Sequence, residues 1–253
     1  MMGNSWDDMA AWLDEKHSDI GDLWHRALID PVLLRLVGDV NHQQVLEVAC
    51  GNGYLSRRFA RMGAQVTSVD ASVGLIERAQ AREMREPLGI VYHVSDAASL
   101  SMLDTGSFDL VVCNMALMDM ADAASSIGEI ARALRSNGRF VASLEHPCFE
   151  HGPSTAWVLE QTVSQPAILW RKVSHYRENA PYTINWNRQQ WQTTTYHRPL
   201  AWYMQALRTA GFALTALEEP SPQDEFLSNS SQGAWIAEIP LHIVFEAKKI
   251  AQL

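Results

Sequence analysis

The residues best suited to chemistry by type and spacing lie in VLEVACGNGYLSRRFA, residues 45–60. Gly51 and Gly53 stand two apart, between an apolar run and an amphipathic stretch. Glycine lets a backbone approach a ligand closely, and a helix starting just beyond aims its free N–H groups at the same point. Glu47 lies in the apolar run, before Ala49 and the two glycines. A carboxylate there repels a pyrophosphate and suits a ligand bearing an ammonium and a sulfonium. Its plainer reading is a strand-end acid bonded to loop N–H groups. Read for a nicotinamide dinucleotide, the same residues give Gly51-x-Gly53-x-x-Ser56, with serine at the third glycine position and Asp70 placed for a ribose hydroxyl. Both cofactor readings stay open at this point.

His146, in LEHPCFE, leaves a predicted strand at the edge where open α/β sheets bind ligands. An imidazole titrates near neutrality, so His146 is the candidate general base, against the plainer role of bonding backbone before Pro147. The histidines show no metal-ligand spacing, and no metal is expected. Cys50, Cys113 and Cys148 are odd in number and far apart, which fits neither a disulfide framework nor a metal site and points to a cytoplasmic protein.

These groups need elements to hold them. From 44 to 145 strand and helix patterns alternate: QVLEV, AQVTSVD, IVYHV, FDLVVCN and RFVASLE read as strands. Leu55, Phe59 and Met62 form one helical stripe, and Ile127, Ile130, Ala131 and Leu134 another. Ser72 is a predicted helix N-cap, with Pro87 and Gly89 closing that helix. Such alternation predicts a parallel sheet with helices on both faces. Residues 6–17 and 22–37 read as helices preceding it.

The pattern breaks after Glu145. Residues 146–198 hold Trp157, Trp170, Trp186 and Trp191 with several tyrosines and histidines, and read as an insertion over the sheet edge. Pockets for small molecules are mostly apolar with few polar groups, so Trp170, Tyr182, Trp186 and His197 are candidate acceptor-binding residues. Beyond 199 a helix with Leu200, Tyr203, Met204 and Leu207 leads to the strands FALTALE and PLHIVFEAKK, with SPQDEFLSNSSQG between them expected as a polar loop.

The 253 residues are 47% hydrophobic, enough for a sizeable core, and carry a net charge of −9. That balance disfavours nucleic acid, whose phosphates call for Lys and Arg. No apolar run of about 18 residues is present to span a membrane. Oligomeric state is left open.

VLEVACGNG, VTSVD, VSDAASL and FDLVVCNMALMDM, in this order, resemble the successive motifs of class I S-adenosylmethionine-dependent methyltransferases. The likeness is greatest to the small-molecule branch of ubiquinone and menaquinone biosynthesis. It implies an α/β, Rossmann-like, doubly wound and mostly parallel seven-stranded sheet with an antiparallel last strand. It implies S-adenosyl-L-methionine as cofactor and a small-molecule acceptor. By this resemblance Glu47, Ala49, Gly51 and Gly53 underlie the methionine part, and Asp70 with Ala71 meets the ribose. Asp96 and Ala97 meet the adenine, and Asn114 and Met115 line the methionyl side. Ala49 replaces the usual first glycine and Glu47 the usual aspartate. The expected division is a helical lid over 1–43, the cofactor core over 44–145, an acceptor cap over 146–198 and the end of the sheet over 199–253. A binding protein that keeps the cofactor without transferring methyl, and a nicotinamide oxidoreductase, are the alternatives.

Overall fold

A computed structural model describes residues 5–150, 152–161 and 168–250. Its centre is a seven-stranded sheet: β1 (Gln44–Val48), β2 (Gln65–Asp70), β3 (Val91–Val94), β4 (Phe108–Asn114), β5 (Leu134–Glu145), β10 (Phe212–Glu218) and β11 (His242–Lys249). Four strands that pair outside the sheet take the labels between, and are given below. The spatial order is β10-β11-β5-β4-β1-β2-β3. β1 pairs in parallel with β2 and β4, β2 with β3, and β4 with β5, whereas β11 runs antiparallel to both β5 and β10. The chain reverses its direction of travel across the sheet between β1 and β4, which opens a crevice at their carboxyl ends.

Strand residues alternate between faces, and each face is sealed by its own helices. On one side Leu46, Val48, Val111 and Phe140 pack with α6 (Ala123–Ala133) and α7 (Leu200–Thr209). On the other, Val45, Leu110, Val112 and Val141 meet α3 (Asp30–Val37), α4 (Tyr54–Arg61) and α5 (Val73–Arg85). Ser72 caps α5 as its side chain predicts, accepting the Leu75 N–H at 3.1 Å.

Ahead of the sheet, α1 (Ser5–Asp8) and α2 (Ala10–His17) lead to a π-helical turn, His25–Ile29, that runs straight into α3. Among the described residues of 146–198 two antiparallel strand pairs form: β6 (Thr155–Glu160) with β7 (Ile168–Val173), and β8 (Ala180–Trp186) with β9 (Trp191–His197). The segment expected as a polar loop instead carries α8 (Asp224–Asn229), followed by α9 (Gly233–Glu238). Phe226 anchors α8: it is fully buried and meets the Trp24 ring edge-on at 4.9 Å. A single aromatic among polar residues was too weak a periodic signal for a helix.

Phe140 sits at the centre of the sheet's packing, its ring 5.8 Å from Phe212 and 5.6 Å from Phe245. Phe140→Ala is expected to lower stability by about 3–5 kcal/mol, read from urea unfolding; a loss under about 1 kcal/mol would contradict this core.

Candidate active site

The turn after β1 passes through left-handed backbone at Ala49 (φ 56°), Gly51 (φ 55°) and Gly53 (φ 73°). Gly53 has to be glycine, because a Cβ there would stand 2.6 Å from the Tyr92 hydroxyl. At Gly51 a Cβ would meet nothing within 4 Å, so the turn has open space in front of it. Asp70 fastens this turn. Its Oδ2 accepts the Gly51 N–H at 2.8 Å and its Oδ1 the Ser72 N–H at 2.8 Å. Both carboxylate oxygens are thus held by backbone N–H groups at the end of β2. Burial raises the Asp70 pKa, and these N–H bonds oppose the rise.

Glu47 is buried beneath the turn, and its Oε2 accepts from the Ser56 hydroxyl, which in turn accepts from Ser68 at 2.8 Å. Its observed partner is a helix side chain rather than a loop N–H. Desolvation pushes the carboxyl up to about 8. At the end of β3, Ala97 is buried and Asp96 exposed, with Asp96 Oδ1 accepting the Ala98 N–H at 2.9 Å. Ala71, between Asp70 and Ser72, is exposed. At the end of β4, Met115 also holds a left-handed backbone (φ 51°) and donates its N–H to Ser143 Oγ at 2.9 Å. Non-glycine residues in this conformation cost about 1–3 kcal/mol and collect at ligand sites. Here Ala49 and Met115 flank the crevice from adjacent strands.

His146 is buried just beyond β5. Its Nδ1 accepts the Cys148 N–H at 3.1 Å, which puts the ring proton on Nε2, 2.9 Å from Glu219 Oε1. Neither nitrogen keeps a free lone pair, so the expected base is committed to holding the loop. The neighbouring Glu145, which the sequence reading passed over, is differently placed. Its Oε2 accepts from the Tyr182 hydroxyl at 2.9 Å, and burial, reinforced by Glu150 and Asp119, pushes its pKa up to about 8. Glu145 and Tyr182 share a small cavity with Glu150, Tyr196, His197 and Tyr203. Asp119, raised to about 7 by burial, accepts from Thr195 Oγ at 2.6 Å.

The four acceptor candidates separate. Tyr182 and His197 line the cavity, and His197 Nε2 also stands 2.8 Å from the Tyr176 carbonyl. Trp186 packs against Trp6 and Trp12 at 6.0 and 6.2 Å, tying its hairpin to the N-terminal helices. Trp170 is 51% exposed on β7 and donates to Glu160 at 3.0 Å. Neither of these tryptophans lines the cavity.

His17, Asp22 and His25 bring potential ligand atoms within 4.8 Å of one another, a cluster that the sequence spacing did not reveal. Asp22 is already neutralised from within: Oδ1 meets His25 Nδ1 at 2.7 Å and Oδ2 the Lys16 ammonium at 3.1 Å. Asp30 and Tyr54 were also missed; they are 1% and 6% exposed, and they meet Asn114 at the crevice.

Residues 46–142, which span the crevice-forming strands, match the family described as the methyltransferase domain. Over these residues the chain is similar to a methyltransferase domain. A solved S-adenosylmethionine-dependent methyltransferase from Mesorhizobium loti is similar with a TM-score of 0.74 and 26% identity, covering 86% of this chain and 96% of that one. A ubiquinone biosynthesis O-methyltransferase of Xanthomonas oryzae pv. oryzae is 35% identical over 118 residues, 46% of this chain and 49% of the relative. The match thus spans about half the length of such curated relatives. An uncharacterised Haemophilus influenzae protein is 28% identical over 77% of each chain. Among the described residues no helix is long and apolar enough to cross a membrane.

The buried acids Glu47, Asp119 and Glu145 set a pH dependence. Glu47 and Glu145, raised to about 8, and Asp119, raised to about 7, keep protons in the folded state that the unfolded chain has released. Their contribution is present at low pH and is lost as pH rises through these values. His17 and His242, lowered to about 3 by burial, act in the opposite sense, but only below their ordinary value of 6.5. The melting temperature of the unliganded protein is therefore expected to fall from pH 6.5 to 8, less steeply in Glu145→Gln. A flat profile in calorimetry would contradict these assignments.

Proposed function

We propose that the protein transfers the methyl group of S-adenosylmethionine to a small, apolar or aromatic acceptor, with oxygen the favoured acceptor atom. One observation carries the cofactor reading: the glycine turn and Asp70 are fastened together by the Gly51 N–H, in front of open space and beside the crevice. Asp70 would take the ribose hydroxyls, and Asp96 and Ala97 the adenine. Glu47 and the turn from Ala49 to Gly53 would underlie the methionine part, with Asn114 and Met115 along its other side. When bound, S-adenosylmethionine supplies a methyl group on a positively charged sulfur, a leaving group that needs no acid. The protein's task is then alignment and exclusion of water, and positioning alone can supply several kcal/mol.

An acceptor hydroxyl must also lose a proton. Glu145 is the base we favour over His146, since its carboxyl is raised to about 8 and Tyr182, Tyr196 and Tyr203 line its small cavity together with Glu150 and Arg198. Relatives named O-methyltransferases support the same atom. Residues 146–198 would supply the acceptor cap, and the N-terminal helices a lid.

Thermal unfolding tests the cofactor. A ligand at about 100 times its dissociation constant adds about 2.7 kcal/mol, roughly 5–10 °C for a chain of this size. S-Adenosylmethionine and S-adenosylhomocysteine should give that shift, NAD none, and Asp70→Ala should abolish it. A shift with NAD alone would establish the nicotinamide reading instead. The base is tested by S-adenosylhomocysteine release with a panel of phenols. Glu145→Gln should cut turnover about 10²–10⁴-fold while cofactor affinity holds; turnover within threefold of wild type, on the order of RT in barrier, would remove Glu145 from the role.

A further inference from the structure

Asp30 is the first residue of α3, 1% exposed, and enters that helix from the π-helical turn His25–Ile29. Single π-helical turns recur at functional sites. Its carboxylate ends a chain of hydrogen bonds crossing four elements. The Ser143 hydroxyl on β5 donates to Asn114 Oδ1 at the end of β4. Asn114 Nδ2 donates to the Tyr54 hydroxyl at 2.8 Å, and Tyr54 donates to Asp30 Oδ1 at 3.1 Å. Every donor points the same way, so the links polarise one another toward Asp30. The other oxygen, Oδ2, is buried and has no partner.

A buried carboxylate oxygen without a partner is costly, and the usual remedy is a cation or donor placed against it. Among the described residues Asp30 has no ion pair. Its two hydrogen-bond partners, Tyr54 and Asn114, are uncharged and belong to the helix that follows the glycine turn and to the end of β4. Those are the two walls of the crevice in which the amino-acid end of the cofactor is proposed to lie. That end carries one ammonium, and Glu47 beneath the turn is already bonded to Ser56.

We infer that Asp30 receives the ammonium of the cofactor's amino-acid end through Oδ2, so that the helix ahead of the methyltransferase domain supplies a binding residue. The inference rests on the S-adenosylmethionine reading above. It also gives the hydrogen-bond chain a purpose: Ser143, Asn114 and Tyr54 aim one carboxylate oxygen by occupying the other.

Isothermal titration of two probes separates the possibilities: S-adenosylhomocysteine, and its deamino analogue in which hydrogen replaces the ammonium. A hydrogen bond to a charged group contributes about 1.5–3 kcal/mol, or roughly 10- to 150-fold. Wild type should bind S-adenosylhomocysteine tighter than the analogue by at least that lower factor. Asp30→Asn, of nearly equal shape, should lose that preference by weakening S-adenosylhomocysteine alone, and its unliganded melting temperature should equal or exceed that of wild type. Unchanged affinity of Asp30→Asn for S-adenosylhomocysteine overturns the inference and leaves the cofactor reading intact. Equal affinity of wild type for both probes overturns it without a variant, should Asp30→Asn fail to fold. Wild type that binds neither probe overturns the cofactor reading itself.

Discussion

Between Val48 and Tyr54 the backbone passes through three left-handed residues, and this turn can stand only where the neighbouring strand holds it. The parallel register Val48↔Val69 brings the end of β2 alongside, so that the Cys50 N–H reaches the Val69 carbonyl at 3.0 Å and the Gly51 N–H reaches Asp70. Asp70 therefore clasps the turn, and in the proposed reading it also meets the ribose. Tyr92 on β3 packs where Gly53 has no side chain, which couples a third strand to the same few atoms.

Around that turn the molecule buries carboxyl groups that would be more stable in water. Glu47, Asp30, Asp70 and Glu145 all have pKa values raised chiefly by desolvation. Each is held by a hydroxyl, an amide or a backbone N–H, and none by a lysine or arginine ion pair. Such partners orient a carboxyl group without supplying a countercharge, so burial holds these pKa values above the usual carboxylate range. Elsewhere the acids are paired conventionally, as in Arg139 with Glu246 at 3.0 Å and Arg132 with Glu129 at 2.9 Å.

Two attachments shape the space over this edge. The N-terminal helices dock through Asn52, which bonds to Asp14 at 2.9 Å, and through the buried Arg57, which reaches Asp19 at 2.8 Å. Trp6, Trp12, Trp186 and Trp191 then pack the β8–β9 hairpin onto these helices. Tyr182 on the same hairpin donates its hydroxyl to Glu145 at the end of β5, so the hairpin is fastened both to the N-terminal helices and to the sheet.

Much of the fold was legible in the sequence because its signals are local. Apolar runs of strand length, helical stripes such as Leu55 and Phe59, and the Ser72 cap each depend on residues within a turn or two. The strand-end residues Glu47, Asp70, Gly51 and Gly53 were legible for the same reason, since a strand followed by a glycine turn fixes which residues come last. What the sequence did not determine are contacts made across the chain. Asp30 meets Asn114 over 84 positions, and Tyr182 meets Glu145 across the whole first hairpin. Trp170 and Trp186 were equivalent as residues of one aromatic-rich segment, yet strand pairing and docking expose one and bury part of the other. His146 had the right chemistry at the right edge, and only the packed loop, through Cys148 and Glu219, used up its nitrogens. The sequence by itself determined where strands end and which backbone can approach a ligand, because those follow from local conformation. Tertiary structure alone decided which carboxylate kept an empty oxygen, because desolvation and hydrogen bonding depend on every segment that packs against it.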